Sequence, residues 1–263
     1  MTTEYTGAGD LTRSMELLWG KHERPSRGPK PSLTVEKIVQ AAIDLADAEG
    51  LAAVSMRHIA ARLDVGTMSL YRYVPSKAEL LDVMLDRVYG EQPVLPDPAG
   101  GWRKGLEQVA RGQWDLYHRH TWLLQISQGR PVMGPNAIKG YEQTLKVMAG
   151  IGLSDVDRVA ITSMIDSFVS GSARNKIEAE QATQRTGVTD EQFWTAQAPF
   201  FTEIMTSGQF PEMAGLDGMV YVEVIEKMFE FGLERLLDGL ETYISAKTRR
   251  TASPDPTGEV PSG

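Results

Sequence analysis

The chain has 263 residues, 41% of them apolar, so it is long enough to bury more than one helical core. Lys+Arg 27 against Asp+Glu 35 leaves a net charge of -8, which excludes a uniformly basic nucleic-acid coat. The absence of Cys excludes a disulfide-stapled scaffold, and no apolar run reaches the roughly 18 residues of a membrane-spanning helix.

Residues 1–31 read as a flexible, basic N-terminal arm. MTTEYTGAGD has neither a basic start nor a long apolar stretch, so no export signal is expected and cytoplasmic residence is the simplest reading. Met15, Leu17, Leu18 and Trp19 form a short apolar cluster suited to packing on the helical head expected at 32–90 or on a partner subunit. Lys21, Arg24, Arg27 and Lys30 are spaced among Pro and Gly, in a form that can lie along phosphates or stay solvated.

From Thr34, a capping residue, Val35, Ile38, Val39, Ala42, Ile43 and Ala46 follow the 3.6-residue period until Gly50 closes the helix. Ser55 caps a second helix that turns Ile59, Ala60 and Leu63 inward. Asp64-Val65-Gly66 makes a tight turn, and the next helix buries Leu70 and Val74 while sending Thr67, Met68, Tyr71, Arg72 and Tyr73 outward or to one rim. Two short helices around a tight turn are the pattern of a helix-turn-helix DNA-reading head, whose second helix enters the major groove. Pro75 stops that helix, and Ser76 with Glu79 forms a capping box for another through Leu80, Leu81, Met84, Leu85 and Val88.

Lys77 lies in the first turn of this helix, where the dipole disfavours a cation but free amides welcome a phosphate. The plainer reading of Tyr71 is a packing residue with its hydroxyl in water, and His58 reads as a surface or partly packed side chain. Between Lys21 and Lys77 nine basic residues face six acidic ones, whereas residues 91–263 hold 16 against 23. Positive charge is therefore focused on the head, and DNA affinity should fall steeply with salt.

The run AAIDLADAEGLAAVSMRHIAARLDVGTMSLYRYVPSKAELL resembles the TetR family of bacterial transcriptional regulators over roughly residues 33–90. The resemblance implies DNA contacts from Arg57, Thr67, Met68, Tyr71, Arg72, Tyr73 and Lys77. Gly66 stands where the family more often has a capping Ser, and Met68 where it often has Gly or Pro. A Met at that place can touch a thymine methyl.

EQPVLPDPAGG, beginning at Glu91, reads as a hinge. Beyond it, helical patterns are expected at 102–119, 122–128, 135–149, 154–180, 190–206 and 216–246, with nothing resembling alternating strands. The expected fold is all-α, about nine or ten helices: a DNA-binding domain at 32–90, a ligand-binding and dimerisation domain at 91–248, and a disordered tail at 249–263. The helix from Val220 to Leu240 is apolar on more than one face, and the one from Ser154 sets small Ser163, Ser167, Ser170 and Gly171 beside Ile161, Ile165 and Phe168. A homodimer through helices near 154–180 and 216–246 accommodates both, and the family resemblance implies the same four-helix interface. Two equivalent heads would then read a palindromic operator in double-stranded DNA.

Trp102, Trp114, His118, Trp122, Phe168 and Trp194 are candidates to line a pocket for a bulky, largely apolar small-molecule effector, with core packing as the alternative for each. Asn136, Gln125, Asn175 and Asp166 are possible polar partners. His118 and His120, two apart, point to different helix faces, so no metal is assigned and no cofactor is expected. The polar stretch 178–189 is a loop or a flap over the pocket. An effector that favours a swung form of the helix at 80–89 would change the spacing of the heads and oppose DNA binding. Enzymatic motifs are missing: there is no nucleophile elbow, phosphate loop or H-E-x-x-H, and His occurs only at 22, 58, 118 and 120. The alternative is a helical protein-interaction scaffold without sequence-specific DNA binding.

Overall fold

A computed structural model of the chain describes residues 4–20, 33–93, 100–127, 129–216 and 220–252. The basic stretch at 21–31, most of the expected hinge (94–99) and the end of the tail (253–263) lie outside the described residues. Among those described there are eleven α-helices and one pair of two-residue strands, so the all-α reading holds with a single small parallel exception.

The reading head is built from α2 (Val35–Glu49), α3 (Met56–Arg62), α4 (Thr67–Leu70) and α5 (Lys77–Tyr89). The caps act as their sequence suggests. Thr34 accepts from the Lys37 amide, Ser55 from His58, and Gly50 ends α2 at φ 84°, where a side chain would be strained. Ile38, Ile43, Ile59, Leu70, Val74, Leu80 and Met84 are buried together, the apolar stripe of each helix facing the others.

The N-terminal segment corrects the flexible-arm expectation. Residues Glu4–Tyr5 form β1, Gly7 turns the chain at φ 64°, and Asp10 caps α1 (Leu11–Leu18). β1 pairs in parallel with β2 (Ile126–Ser127) in the body, and α1 lies on α5. The docking is polar. The Gly7 amide and the Ser14 hydroxyl donate to Asp82 at 3.0 and 2.6 Å, and the Asp10 amide donates to Glu79 at 2.7 Å. Ser76 also donates to Glu79, whose carboxylate is therefore shared between the start of α5 and the segment docked on it. Burial lifts the Asp82 carboxyl above its ordinary range. At Glu79 burial pushes the same way, but the donors Ser76 and Asp10 outweigh it and hold that carboxyl low.

The body packs α6 (Gly101–Arg119), α7 (Pro135–Val147), α8 (Asp155–Thr186) and α11 (Val220–Ala252) around Leu106, Ala110, Ile165, Val169, Phe229 and Leu233. Three boundaries differ from expectation. Residues Thr121–Gln125 form a 3-10 turn leading into β2 instead of a helix through 128. α8 runs on through 178–186 to Gly187 at φ 72°, so the stretch expected as loop or flap is largely helix. α11 continues to Ala252, beyond the expected tail boundary at 249. Between them, α9 (Asp190–Thr206) and the short α10 (Pro211–Ala214) pack on each other, and no α9 side chain described is buried.

Head and body join at a polar knot. His120 presents Nδ1 to Asp47 on α2 at 2.8 Å and Nε2 to Glu91 at 3.0 Å, while Trp122 donates its indole N–H to Asp47 at 2.7 Å. Burial pushes the Glu91 carboxyl up, but hydrogen bonds from His120 and Arg119 hold it below the ordinary range. Asp47 thus holds two buried side chains. Replacing it (Asp47→Ala) is expected to cost about 1–3 kcal/mol of unfolding free energy in urea titration, against a change within about 0.5 kcal/mol for Asp44→Ala on the exposed side of α2.

Candidate functional site

The turn between α3 and α4 is a C-terminal helix cap in which Asp64 occupies the left-handed position at φ 52°. The Val65 amide donates to the Ala60 carbonyl at 3.0 Å and the Asp64 amide to that of Ala61 at 3.3 Å, closing the end of α3. α4 is a single turn, opened by Gly66 without a side-chain cap and continued by bonds from the Tyr73 and Val74 amides to the Leu70 carbonyl. Leu70 and Val74, fully buried, anchor it, so the intervening side chains are left on the outside. Met68 is 76% exposed and Tyr71 42%; Arg57 and Arg72 are also exposed, the latter donating to Ser69 at 3.3 Å. Thr67 and Tyr73 are half-buried, Tyr73 packing against the core. Lys77 is half-buried at the start of α5, and its ammonium meets the Glu4 carboxylate at 2.9 Å. His58 is exposed with its Nδ1 3.0 Å from the Ala53 carbonyl, in keeping with a surface side chain.

Of the six aromatic candidates in the body, three come together. Trp114 and His118, one turn apart on α6, have ring centroids 4.3 Å apart. Trp114 stacks on Phe229 of α11 at 4.0 Å and 24°, and Phe229 stacks on Phe168 of α8 at 6.0 Å and 15°. Phe229 was not singled out from the sequence; it sits in a helix so rich in apolar residues that its inner face had no distinguishing mark. Beside this wall, an open cleft of about 530 Å³ between α6 and α11 is lined by Arg103, Arg111, Glu230, Phe231, Leu233 and Leu237, among others. Arg111 bonds Glu230 through two nitrogens at 2.7 and 2.8 Å and lies 6.0 Å from the Phe229 ring centre.

The other three candidates stand elsewhere. Trp122 is fully buried with its indole bonded to Asp47, which makes it a core residue of the domain joint. Trp102 packs half-buried against the core outside the stack, and Trp194 meets Phe193 edge-on on α9. Asn136 caps nothing of its own; its amide and side-chain nitrogen donate to Asp86. One acceptor that sequence reasoning missed is Gln113 Oε1, the only buried side-chain polar atom among the described residues that no protein donor meets. Its spacing from Leu106, Ala110 and Tyr117 sets it on the inward stripe of α6, where a lone polar residue is the signal that could have found it.

Residues 38–84 match the family described as "Bacterial regulatory proteins, tetR family", and residues 95–244 match "Tetracyclin repressor-like, C-terminal domain". The chain belongs to the TetR family. It is 48% identical over 254 residues to the HTH-type transcriptional repressor DrrR1 of Streptomyces coeruleorubidus, across 95% of this chain and 93% of that protein. The structure of the TetR-family protein ActR from Streptomyces coelicolor in complex with actinorhodin is similar with a TM-score of 0.66 and 31% identity, covering 81% of this chain and 96% of ActR. ActR in complex with (S)-DNPA gives 0.60 and 28%, covering 81% and 98%.

This TetR-family chain is accordingly a ligand-responsive transcriptional repressor that binds operator DNA, dimerises and takes a small-molecule effector, and it is not an enzyme. The scaffold alternative falls with that assignment. Among the described residues no helix is long and apolar enough to cross a membrane. The turn that presents α4 gives a direct check: Asp64→Gly should keep or slightly raise the melting temperature, whereas Asp64→Val, which places a β-branched side chain at positive φ, should lose about 1–2 kcal/mol.

Proposed function

We propose that this TetR-family repressor reads a palindromic operator as a homodimer, one head per half-site, through Arg57, Thr67, Met68, Tyr71, Arg72, Tyr73 and Lys77. The observation that carries the reading is the outward display of Met68, Tyr71 and Arg72 from a single turn pinned by Leu70 and Val74. Arg72 and Lys77 supply charge for phosphates, Tyr71 a ring and a hydroxyl, and Met68 an apolar tip that suits a thymine methyl. The reading head extends over residues 32–90 and the effector and dimerisation domain over 91–248. Because transcription regulators act where the DNA is, the chain works in the cytoplasm.

The dimer interface of this reading uses the outward faces of α8 and α11. Val156, Val159 and Met164 are exposed on one, and Val224, Phe231 and Tyr243 on the other. The effector is a flat, largely apolar aromatic molecule, seated against the wall of Trp114, Phe168 and Phe229, with Gln113 Oε1 offering an acceptor to a ligand hydroxyl. Its binding and operator binding oppose each other because α5 joins the head to the body. The ActR complex with actinorhodin supports this ligand class as a first probe.

In anisotropy titrations with a duplex recovered by selection from a random library, Tyr71→Ala should weaken binding about 10- to 100-fold, or roughly 1–3 kcal/mol, with helicity retained. Arg72→Ala should lower the salt slope by about one phosphate contact, and Met68→Ala should relax preference at one base pair. Selection of the same duplex by the Tyr71→Ala variant with undiminished affinity would remove α4 from the interface.

Actinorhodin, titrated by tryptophan fluorescence, should bind wild type and lose about tenfold in affinity to Phe168→Ala, the size of one aromatic contact in a dry site. Equal affinity of the ligand for free and operator-bound protein would sink the release mechanism.

A further inference from the structure

The N-terminal segment is held by both parts of the molecule at once. On the body side, β1 pairs with β2, the Thr6 hydroxyl donates to the Arg130 carbonyl at 2.9 Å, and the Trp19 indole reaches the Met133 carbonyl at 3.3 Å. On the head side, Gly7, Asp10 and Ser14 supply donors to Asp82 and Glu79 of α5. Space there is tight: a Cβ on Gly9 would lie 2.4 Å from a Glu79 oxygen. These bonds fix the position of Glu4, whose carboxylate lies 2.9 Å from the ammonium of Lys77.

A lysine already facing a carboxylate has little net charge to offer a phosphate. The carboxylate itself repels a phosphate brought to the same place. Both partners are about one-third exposed, so the pair is weak enough to be exchanged and close enough to compete.

We propose that residues 4–19 form an autoinhibitory strap, in which Glu4 competes with an operator phosphate for Lys77 and holds DNA affinity below that of the bare head. The proposal rests on the reading of Lys77 as a phosphate contact. Because β1 is seated on Ile126–Ser127, the strength of the competition is set by the body: any rearrangement of that stretch shifts the strap, and with it Glu4.

The test is a double-mutant cycle with the full chain, by anisotropy on the selected duplex at several salt concentrations, with circular dichroism confirming helicity. Glu4→Gln is expected to tighten binding about three- to tenfold and to steepen the dependence of log K on log salt by about 0.9, one released counterion. Lys77→Gln should weaken wild-type binding and cost about three- to tenfold more in the Glu4→Gln background than in wild type, so that the gain from Glu4→Gln disappears in the double variant. Glu16→Gln, which removes the same charge from the strap at a residue paired with Arg13, should leave affinity unchanged. The strap is overturned if Glu4→Gln changes neither affinity nor slope, if Lys77→Gln costs the same in both backgrounds, or if Glu16→Gln matches Glu4→Gln. Each of those results, with wild type still selecting its duplex, leaves the regulator reading standing. Failure of wild type and every variant to select any duplex overturns both.

Discussion

Glu79, Asp82 and Asp86 lie on one face of α5 at 3%, 2% and 5% exposure, and a carboxylate so placed has to find donors outside its own helix. They do so from two distant parts of the chain. Glu79 and Asp82 draw theirs from residues 7–14, and Asp86 accepts from the Asn136 and Ala137 amides at the start of α7, where the helix dipole also favours an anion. Gly134 is required beside it, since a Cβ there would lie 2.2 Å from an Asp86 oxygen. The acidic face of α5 therefore dictates where the N-terminal segment docks and where α7 begins.

The same helix is the mechanical link between head and body. Its apolar side belongs to the core of the reading head, through Leu80, Met84 and Val88, and its acidic side is gripped by elements that also touch the body. Together with the knot at His120, Asp47 and Glu91, this gives the head two independent polar attachments. Hydrogen-bonded attachments of this kind have defined geometry, unlike a greasy seam, and hold the head in one orientation on the body.

Much of the head was legible in the sequence because its signals are local. Thr34, Ser55 and Ser76 each cap a helix whose apolar period follows within the next few residues, and the burial of Leu70 and Val74 determines what must face outward. The strap was not legible, since its bonds run from main-chain amides to carboxylates some 70 residues away and leave no periodic mark; Glu79 looked like an ordinary capping-box partner because nothing in its neighbourhood announces Asp10. The aromatic stack between α6, α8 and α11 was half legible. Trp114, His118 and Phe168 were named, but so was Trp122, because a five-residue 3-10 turn is too short for periodicity to tell an inward indole from a lining one. Phe229 was hidden by the opposite difficulty, a helix apolar on several faces, where only the packing of α6 and α8 decides which stripe turns in.

The pairing of Thr6 with Ser127 spans 121 positions of sequence, and that of Gly7 with Asp82 spans 75. During synthesis at about 5–20 residues per second, the segment that will become β1 waits on the order of ten seconds before its partner strand exists. Meanwhile the helices of the head, whose contacts are short in sequence, have time to assemble, and residues 7–14 can already serve Glu79 and Asp82 while Asp86 still lacks the amides of α7. The strand pair that ties residues 4–5 to the body is thus a late contact, one that a head able to form from its own short-range contacts does not require.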